Sequence, residues 1–545
     1  MNKITTNINQ NSYAKKIWQF ADPNTTEITL LIILIAISIY PIWATTYIPT
    51  TDGPVHLENA LILKSLISGE KGIFSNFFHL TSGSYTNYAV YLIYIGLNHF
   101  ANLYTAEKIL LSLYIISLPL SIRYAVCAIN PKNSYLAFLS LPMLYNTSLN
   151  FGFYNFILSL PFMFCSIGYW SKHNNSFNYS NALKISMLIL ITYLFHPLSF
   201  AILAIIITTT EILLIIKKHH GFKSLKDNRL HICKRLLTNT SLFIPSIIFA
   251  CLFISKEGSV IKYTKSLATR LYALAGLSSL ISFNHLEAIK SYTVVSLLIV
   301  LILLCSKAKI KAFISNTFFL SVVVVLFLYF FIPDEISNGS MVNIRMQLFV
   351  IFSVLLFISN LPFDPIAKKT TISACFFLCL FSTLITFKDY ADLSKGVETY
   401  LSTSSFIKSN STVLSVSLDS RSPSIYIQPF VHVASHLAYS NKAVELNNFQ
   451  ATQSYFPINY NLAINPYSYL GEIESKIPKI NINNYTQVTG VKIDYIIIWG
   501  RYDDKSANSE LHGLLDQINT LYDLVYTNNS NFNVALFRLK HSNKT

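Results

Sequence analysis

Within Thr51-Asp52-Gly53-Pro54-Val55-His56-Leu57-Glu58-Asn59-Ala60, a carboxylate, an imidazole and a second carboxylate fall inside seven positions, directly after a long apolar run. Such a set can take a proton from a hydroxyl and orient a substrate, and at a membrane surface ionisable groups are scarce and usually functional. Gly53 and Pro54 read as the start of a helix, because proline fixes its own φ and suits a first turn. Asp52 then lies on the loop entering that helix, where the positive helix end favours its ionised form. Leu57, Leu61, Ile62 and Leu66 recur at helical spacing, His56, Asn59 and Lys64 point elsewhere, and Gly69 is a stop. The stretch reads as a short amphipathic helix lying on a membrane surface. Read without chemistry, Asp52 is a capping residue and His56 a surface side chain.

The elements that must position these groups are apolar. With 545 residues, 52% of them hydrophobic and 12% charged, the chain has too little charge to clothe a soluble globule, and it reads as an integral membrane protein. The net charge of +15 does not point to nucleic acid: from Lys388 onward there are 13 basic and 13 acidic residues, leaving 28 and 13 in the apolar part. The excess belongs to loops between spans, where positive charge marks the cytoplasmic side. The densest run, Lys217, Lys218, Lys223, Lys226, Arg229, Lys234 and Arg235, is a topology signal on this reading. All seven cysteines lie in or beside apolar spans, so disulfides do not hold the polar C-terminal region together. Cys375 and Cys379 share a helix face but lack partner ligands for a metal. Asn-X-Ser/Thr triplets at Asn146 and Asn410 carry little weight in so asparagine-rich a chain.

Residues 1–27 read as a cytoplasmic tail, without a cleavage pattern and with Lys15 and Lys16. Residues 28–387 form a multi-spanning domain. Its first span, Ile28 to Ile48, delivers Asp52 to the outside on the external loop 49–84. Two apolar stretches follow in 85–127; with Arg123 and Lys132 inside, only one can cross, and spacing leaves open which. A span from Ser134 to Leu149, an external loop at 150–155 and a return to Lys172 come next. The run Leu183 to Ile216 is twice the length of one crossing and is cut at His196-Pro197, an external turn. Continuing this alternation to the last span, Ile372 to Phe387, gives about 12 transmembrane helices. Residues 388–545 alternate strand and helix signals, with strands at 412–418, 493–499, 522–526 and 534–539 and a helix at 509–521, and read as an extracytoplasmic soluble α/β domain. No phosphate loop, Cys-X-X-Cys pair or nucleophile elbow occurs in it.

This topology places four polar clusters on one external face: Asp52 with His56 and Glu58, Tyr154 with Asn155, His196, and Asn343 with Arg345. An arginine can hold a phosphate through two parallel hydrogen bonds, a carboxylate can deprotonate an acceptor hydroxyl, and a histidine can orient either partner. Each has a plainer reading: His196 as a helix-end residue, Arg345 as a headgroup anchor, Tyr154 and Asn155 as helix packing. Together they suit group transfer from a phosphate-bearing lipid.

In these segments the chain resembles the GT-C fold glycosyltransferases of membranes. The resemblance rests on a span followed by an Asp-containing external loop and helix (Asp52 to Glu70), the Asn150-Phe151-Gly152-Phe153-Tyr154-Asn155 segment leading into Leu160-Pro161, the His196-Pro197 break, Asn343-Ile344-Arg345 opening a late span, and the C-terminal α/β domain. It implies a polyprenyl-phosphate-linked sugar as donor, an envelope lipid, glycan or protein as acceptor, and Asp52 as catalytic base or metal-associated carboxylate. His56, Glu58, Tyr154, Asn155, His196, Asn343 and Arg345 would bind substrate. Asp52 is followed by His56 and Glu58 without the paired acids frequent in that family, so a divalent cation, magnesium or manganese, is left open, with Glu257, Glu287, Asp334 and Glu335 as candidate second acids. A cysteine-free external domain is compatible with a bacterial inner membrane.

Two other classes fit parts of the pattern. A transporter or flippase of a lipid-linked glycan would use intramembrane charge, for which Glu211 within a span is the candidate, but no internal repeat is visible. A non-catalytic membrane scaffold would retain the fold without using Asp52.

Overall fold

The computed structural model describes residues 25–540 except 82, 84–85, 176–177, 220–228, 257–260, 306–312, 337–338, 422, 474–477, 503–508 and 530–532. It is mostly helical, with a sheet-containing C-terminal region. The helices that matter for the site are α1 (Thr25–Trp43), α2 (Gly53–Ile67), α3 (Ala89–Leu97), α4 (Leu103–Ile129), α5 (Tyr154–His173), α6 (Tyr179–Phe195), α7 (Pro197–His219), α8 (Arg229–Ser241), α9 (Ile244–Lys256), α10 (Glu287–Leu304), α11 (Phe319–Phe331), α12 (Val342–Ser359) and α13 (Pro365–Leu401). Among the described residues six of these, α1, α4, α7, α10, α12 and α13, are long and apolar enough to cross a membrane, and α8 with α9, bent by 58°, would make a seventh. This is compatible with a membrane protein.

Six or seven long helices stand against about twelve expected crossings because several apolar stretches are short or broken. Of the two in 85–127, α3 is 9 residues and α4 is 27 residues. A 9-residue helix is only about 14 Å long, half of a hydrocarbon core of about 30 Å, so α4 is the one with spanning length. The stretch expected as one span from Ser134 to Leu149 is a tight 3-10-type helix over Pro131–Met143 and a short turn at Thr147–Asn150, separated by Asn146, whose side chain caps the second. The break at His196-Pro197 lies where proline's missing donor puts it, between α6 and α7. Glu211 on α7 does not stand alone: Arg235 of the basic run pairs with it through Nε and through Nη2 at 3.1 Å. One residue of that run therefore holds two helices together as well as carrying charge.

One end of the bundle is tied by a buried charge cluster. Glu27 at the start of α1 receives Arg123 at 2.8 Å, Lys368 at 2.8 Å and the Ser134 hydroxyl at 2.7 Å. Because Arg123 is near the end of α4 and Lys368 near the start of α13, the cluster fixes the relative height of three long helices. Asp52, beyond the other end of α1, is held at the opposite end of the bundle.

In the C-terminal region five strands, β2 (Thr412–Ser417), β3 (Val444–Glu445), β5 (Tyr495–Trp499), β6 (Tyr522–Asn529) and β7 (Asn533–Leu539), form a mixed sheet in the order β6-β7-β5-β2-β3. The strand expected at 493–499 is the central one, formed by Tyr495–Trp499 and buried at each of those positions, and the helix expected at 509–521 precedes β6. A second, two-stranded sheet pairs β1 (Phe78–Leu80) of the first loop with β4 (Ile458–Tyr460).

That contact changes the setting of α2. Expected as an amphipathic helix on a membrane surface, it is instead enclosed: Val55, Leu57, Ile62 and Leu63 are buried, and so are His56, Glu58 and Asn59, interleaved with them around the helix. Glu58 and Asn59 find their hydrogen-bond partners in the C-terminal region and His56 finds its own in Gly152 and Tyr91, in place of the water they would otherwise bind. The sequence pattern is the same for both placements, since a helix polar on one face can meet either water or a polar partner.

Removing a buried carboxylate that neutralises two cations leaves both uncompensated, at a cost of about 3–5 kcal/mol. Glu27→Ala should therefore lower the thermal midpoint of the extracted protein sharply, and Glu27→Ala with Arg123→Leu should recover part of it; equal midpoints for wild type and Glu27→Ala would show that the cluster contributes nothing.

Candidate active site around Asp52

Two segments cross here backbone to backbone. Thr51 N–H donates to Asn150 O at 3.1 Å and Asp52 N–H to Phe151 O at 3.0 Å. The approach is possible because both chains carry glycine. Gly152 has φ +83°, in the left-handed region, and a Cβ there would lie 2.7 Å from Gly53 N and 3.0 Å from Asp52 N; a Cβ on Gly53 would lie 2.6 Å from the Tyr154 hydroxyl. Asn150 extends the junction, its amide donating to Ser282 Oγ at 3.0 Å and its carbonyl oxygen accepting from the Tyr390 hydroxyl of α13 at 2.9 Å.

His56, one turn into α2, locks the same junction. Its Nε2 donates to Gly152 O at 2.9 Å, and the Tyr91 hydroxyl of α3 lies 2.7 Å from its Nδ1 and 2.9 Å from Gln450 Oε1, with one proton to give to one of these two acceptors. A carbonyl can only accept, so Nε2 carries the proton of the neutral ring. Asn59 continues the chain of contacts, donating to Gln450 Oε1 at 2.9 Å and accepting from Asn448 at 2.7 Å. His56 is thus fully engaged in positioning.

The other expected residues sort by their surroundings. The Tyr154 hydroxyl donates to Glu107 of α4 at 2.6 Å and meets Thr50 Oγ1 at 2.9 Å, so it braces the floor under Gly53. Asn155 holds α3, accepting from Val90 N–H at 3.3 Å and donating to Asn87 O at 3.1 Å. Glu58 is 1% exposed and accepts from Glu445 N–H and the Asn448 amide, so substrate reaches it only if the C-terminal region lifts away. Asn343 accepts from Lys265 at 3.2 Å, away from the Asp52 junction. Arg345, two residues further and on the opposite side of α12, lies with its guanidinium carbon 4.0 Å above the Phe153 ring and 5.9 Å from that of Phe156. It is close enough to Asp52 for the carboxylate charge to bear on it, and no carboxylate among the described residues forms an ion pair with it. His196 packs edge-on against Phe156 at 5.2 Å, which brings it to the same aromatic wall.

The structure adds a residue the sequence reading passed over. His432 places Nε2 4.0 Å from Asp52 Oδ1 and stacks on Phe449, while its Nδ1 has no hydrogen-bond partner among the described residues. Tyr455 and Phe456 close the same side, Phe456 against the rings of His56 and Tyr91. The signal available in sequence was a pair of histidines, His432 and His436, four apart in the apolar Phe430 to Ala438 stretch of an otherwise polar region. Glu107 was equally visible as an acid at the start of an apolar stretch.

Candidate second acids are occupied elsewhere. Glu287 accepts the N–H groups of Ser282 and Phe283, Asp334 pairs with Arg270 at 3.0 Å, and Glu335 pairs with Lys262 at 2.9 Å; Glu257 lies outside the described residues. Among the described residues no three His, Cys, Asp or Glu side chains gather as metal ligands. Asp52 and His432 alone do not make a metal cage.

Burial shapes the electrostatics of the roof. It pushes the imidazoles of His56 and His432 down to about 4 and that of His436 to about 3, and it pushes Glu58 well up and Glu445 up to about 7. Between about pH 4 and 6.5 the unfolded chain binds protons at the histidines that the fold refuses, so their contribution is lost as pH falls through 6.5. The two carboxyls work in the opposite sense, holding protons above 4.5 that the unfolded chain releases, so theirs is lost as pH rises toward 7.

Two measurements follow. Gly152→Ala should break the junction with Asp52, lowering stability by about 1–3 kcal/mol from left-handed strain and overlap; an unchanged thermal midpoint would remove this junction from the argument. Glu445→Gln should steepen the loss of thermal stability between pH 6.5 and 5 relative to wild type, since it deletes one of the two opposing groups; a shallower slope would reverse the assignment of the buried protons. No family model matches this sequence, and no curated protein matches it, so the reading of the site rests on the geometry of these residues.

Proposed function

We propose that the chain is a polytopic membrane glycosyltransferase of GT-C fold, with about twelve crossings, a cytoplasmic N-terminus and an extracytoplasmic C-terminal domain. On this reading it moves one sugar from a polyprenyl-phosphate donor to an envelope lipid, glycan or protein acceptor on the non-cytoplasmic face. The observation that carries it is Arg345: a guanidinium without an ion-pair partner among the described residues, laid flat on Phe153 at the mouth of a long apolar helix and next to the Asp52 carboxylate. A cation so placed suits a lipid-borne phosphate, with the prenyl chain running along the apolar helices and the sugar directed at Asp52.

The chemistry then divides between two side chains. Asp52 takes the proton of the acceptor hydroxyl, the acceptor oxygen forms its bond to the anomeric carbon, and the bond from that carbon to the phosphate oxygen breaks with its electron pair going to the phosphate. Arg345 stabilises the charge that grows on the leaving phosphate. His432, facing Asp52, orients the carboxylate or the incoming hydroxyl, and His196 supports the wall on the Arg345 side. The alternative of a transporter loses its candidate coupling group, because Glu211 is paired with Arg235.

Mass spectrometry of envelope lipids and glycans from cells lacking this chain, restored with wild type or Asp52→Asn at matched membrane levels, tests the proposal. A sugar-sized mass increment with wild type, reduced at least about 100-fold in Asp52→Asn, is expected from loss of a general base. Identical profiles with both would overturn the role of Asp52 and turn the reading toward transport or scaffolding.

A further inference from the structure

Away from Asp52, a cleft of about 360 Å³ opens where the first long helix ends, walled by Tyr47, Tyr104 and Tyr439 with Glu398 at its edge. The four come from four parts of the chain: the link after α1, the start of α4, the segment 437–441 and the last turns of α13. The rings stand nearly perpendicular in pairs, Tyr47 to Tyr104 at 5.2 Å and 89°, Tyr104 to Tyr439 at 5.1 Å and 72°, forming a corner of ring faces. The His436 ring, 5.4 Å from Tyr47 and 5.3 Å from Tyr104, backs the corner and packs against both tyrosines. Neither of its nitrogens has a hydrogen-bond partner among the described residues.

The chemistry of such a corner is selective by sign. Aromatic faces carry negative potential and attract cations, above all organic ammonium groups that are weakly hydrated. No lysine or arginine among the described residues forms an ion pair with Glu398, so its charge is left for a ligand. A phosphate would meet a carboxylate and three ring faces and be repelled. The volume falls in the range of small-ligand clefts and suits a headgroup. Asp52, His432 and Arg345 do not line it, so the cleft is separate from the site proposed for transfer.

We propose that this cleft binds an alkylammonium group, either the headgroup of a choline or ethanolamine lipid or the same cation free in solution. The positive charge sits against the ring faces of Tyr47, Tyr104 and Tyr439, and Glu398 neutralises it from the rim. The site holds whether or not the chain transfers sugars.

The test uses the full chain purified in detergent, titrated with choline and with 3,3-dimethylbutan-1-ol, which has the same shape without the charge. Choline should bind at least about ten-fold more tightly than the uncharged alcohol. Glu398→Gln and Tyr439→Leu, both at the exposed rim, should each weaken choline about five-fold at an unchanged thermal midpoint. Native mass spectrometry from nanodiscs holding phosphatidylethanolamine and phosphatidylglycerol separates the sources: retention of the ethanolamine lipid, lost in both variants, assigns a lipid headgroup, and choline binding without retention assigns a soluble cation. Equal binding of choline and the alcohol, or choline binding by both variants as tight as wild type, would overturn the proposal.

Discussion

Everything at the candidate site hangs on the close crossing of two backbones at Asp52 and Phe151. Two hydrogen bonds and two glycines bring the chains together where any side chain would hold them apart. From that crossing the carboxylate of Asp52 is aimed by its own peptide, the rings of Phe153 and Phe156 are delivered to Arg345, and the carbonyl of Gly152 is presented to His56. The side chains around the crossing reinforce it: Tyr154 from below through Glu107, Asn150 from the side through Tyr390 and Ser282, His56 from above through Tyr91. A site built this way gets its precision from main chain, which is the stiffest material available to it.

The charges are distributed to suit. Acids that only hold the fold, Glu27, Asp334 and Glu287, are paired with cations or backbone donors. Burial holds the imidazoles of the roof, those of His56, His432 and His436, toward their neutral form. Arg345 differs from the buried Arg123 and Arg270, each of which has a carboxylate: it is half-buried and rests on an aromatic ring. An arginine that is solvated by rings retains its donors for something else.

How much of this could be read from residues alone depends on the range of the interaction. Local signals worked: Gly53-Pro54 begins a helix, Pro197 ends one and starts the next, and the apolar run ending at Trp499 is the middle strand of its sheet. Asp52, His56 and the 150–155 segment were recognisable by type, and they do meet. The environment of α2 was not, because its polar face is answered by Gln450 and Asn448, nearly 400 positions away, and period alone cannot distinguish water from a folded polar partner. The same distance hid His432. Asn343 and Arg345 looked like a pair because they are neighbours in the chain, yet two steps along a helix turn a side chain by more than half a circle, and they serve different surroundings. The crossing count suffered from a different limit: apolar composition fixes where chain is buried in something apolar, while length in space depends on whether a stretch folds as one helix, as two, or as a tight 3-10 coil.

The roof over Asp52 also has a date in the life of the molecule. His432 leaves the ribosome 380 residues after Asp52, which at 5–20 residues per second is about twenty to eighty seconds later. Through that interval Glu58 and Asn59 of α2 lack Asn448 and Gln450, their partners from the C-terminal region. The residues around Asp52 are therefore brought together only after most of the chain has been made. A chain that stops short of His432 has the floor under Asp52 without its roof.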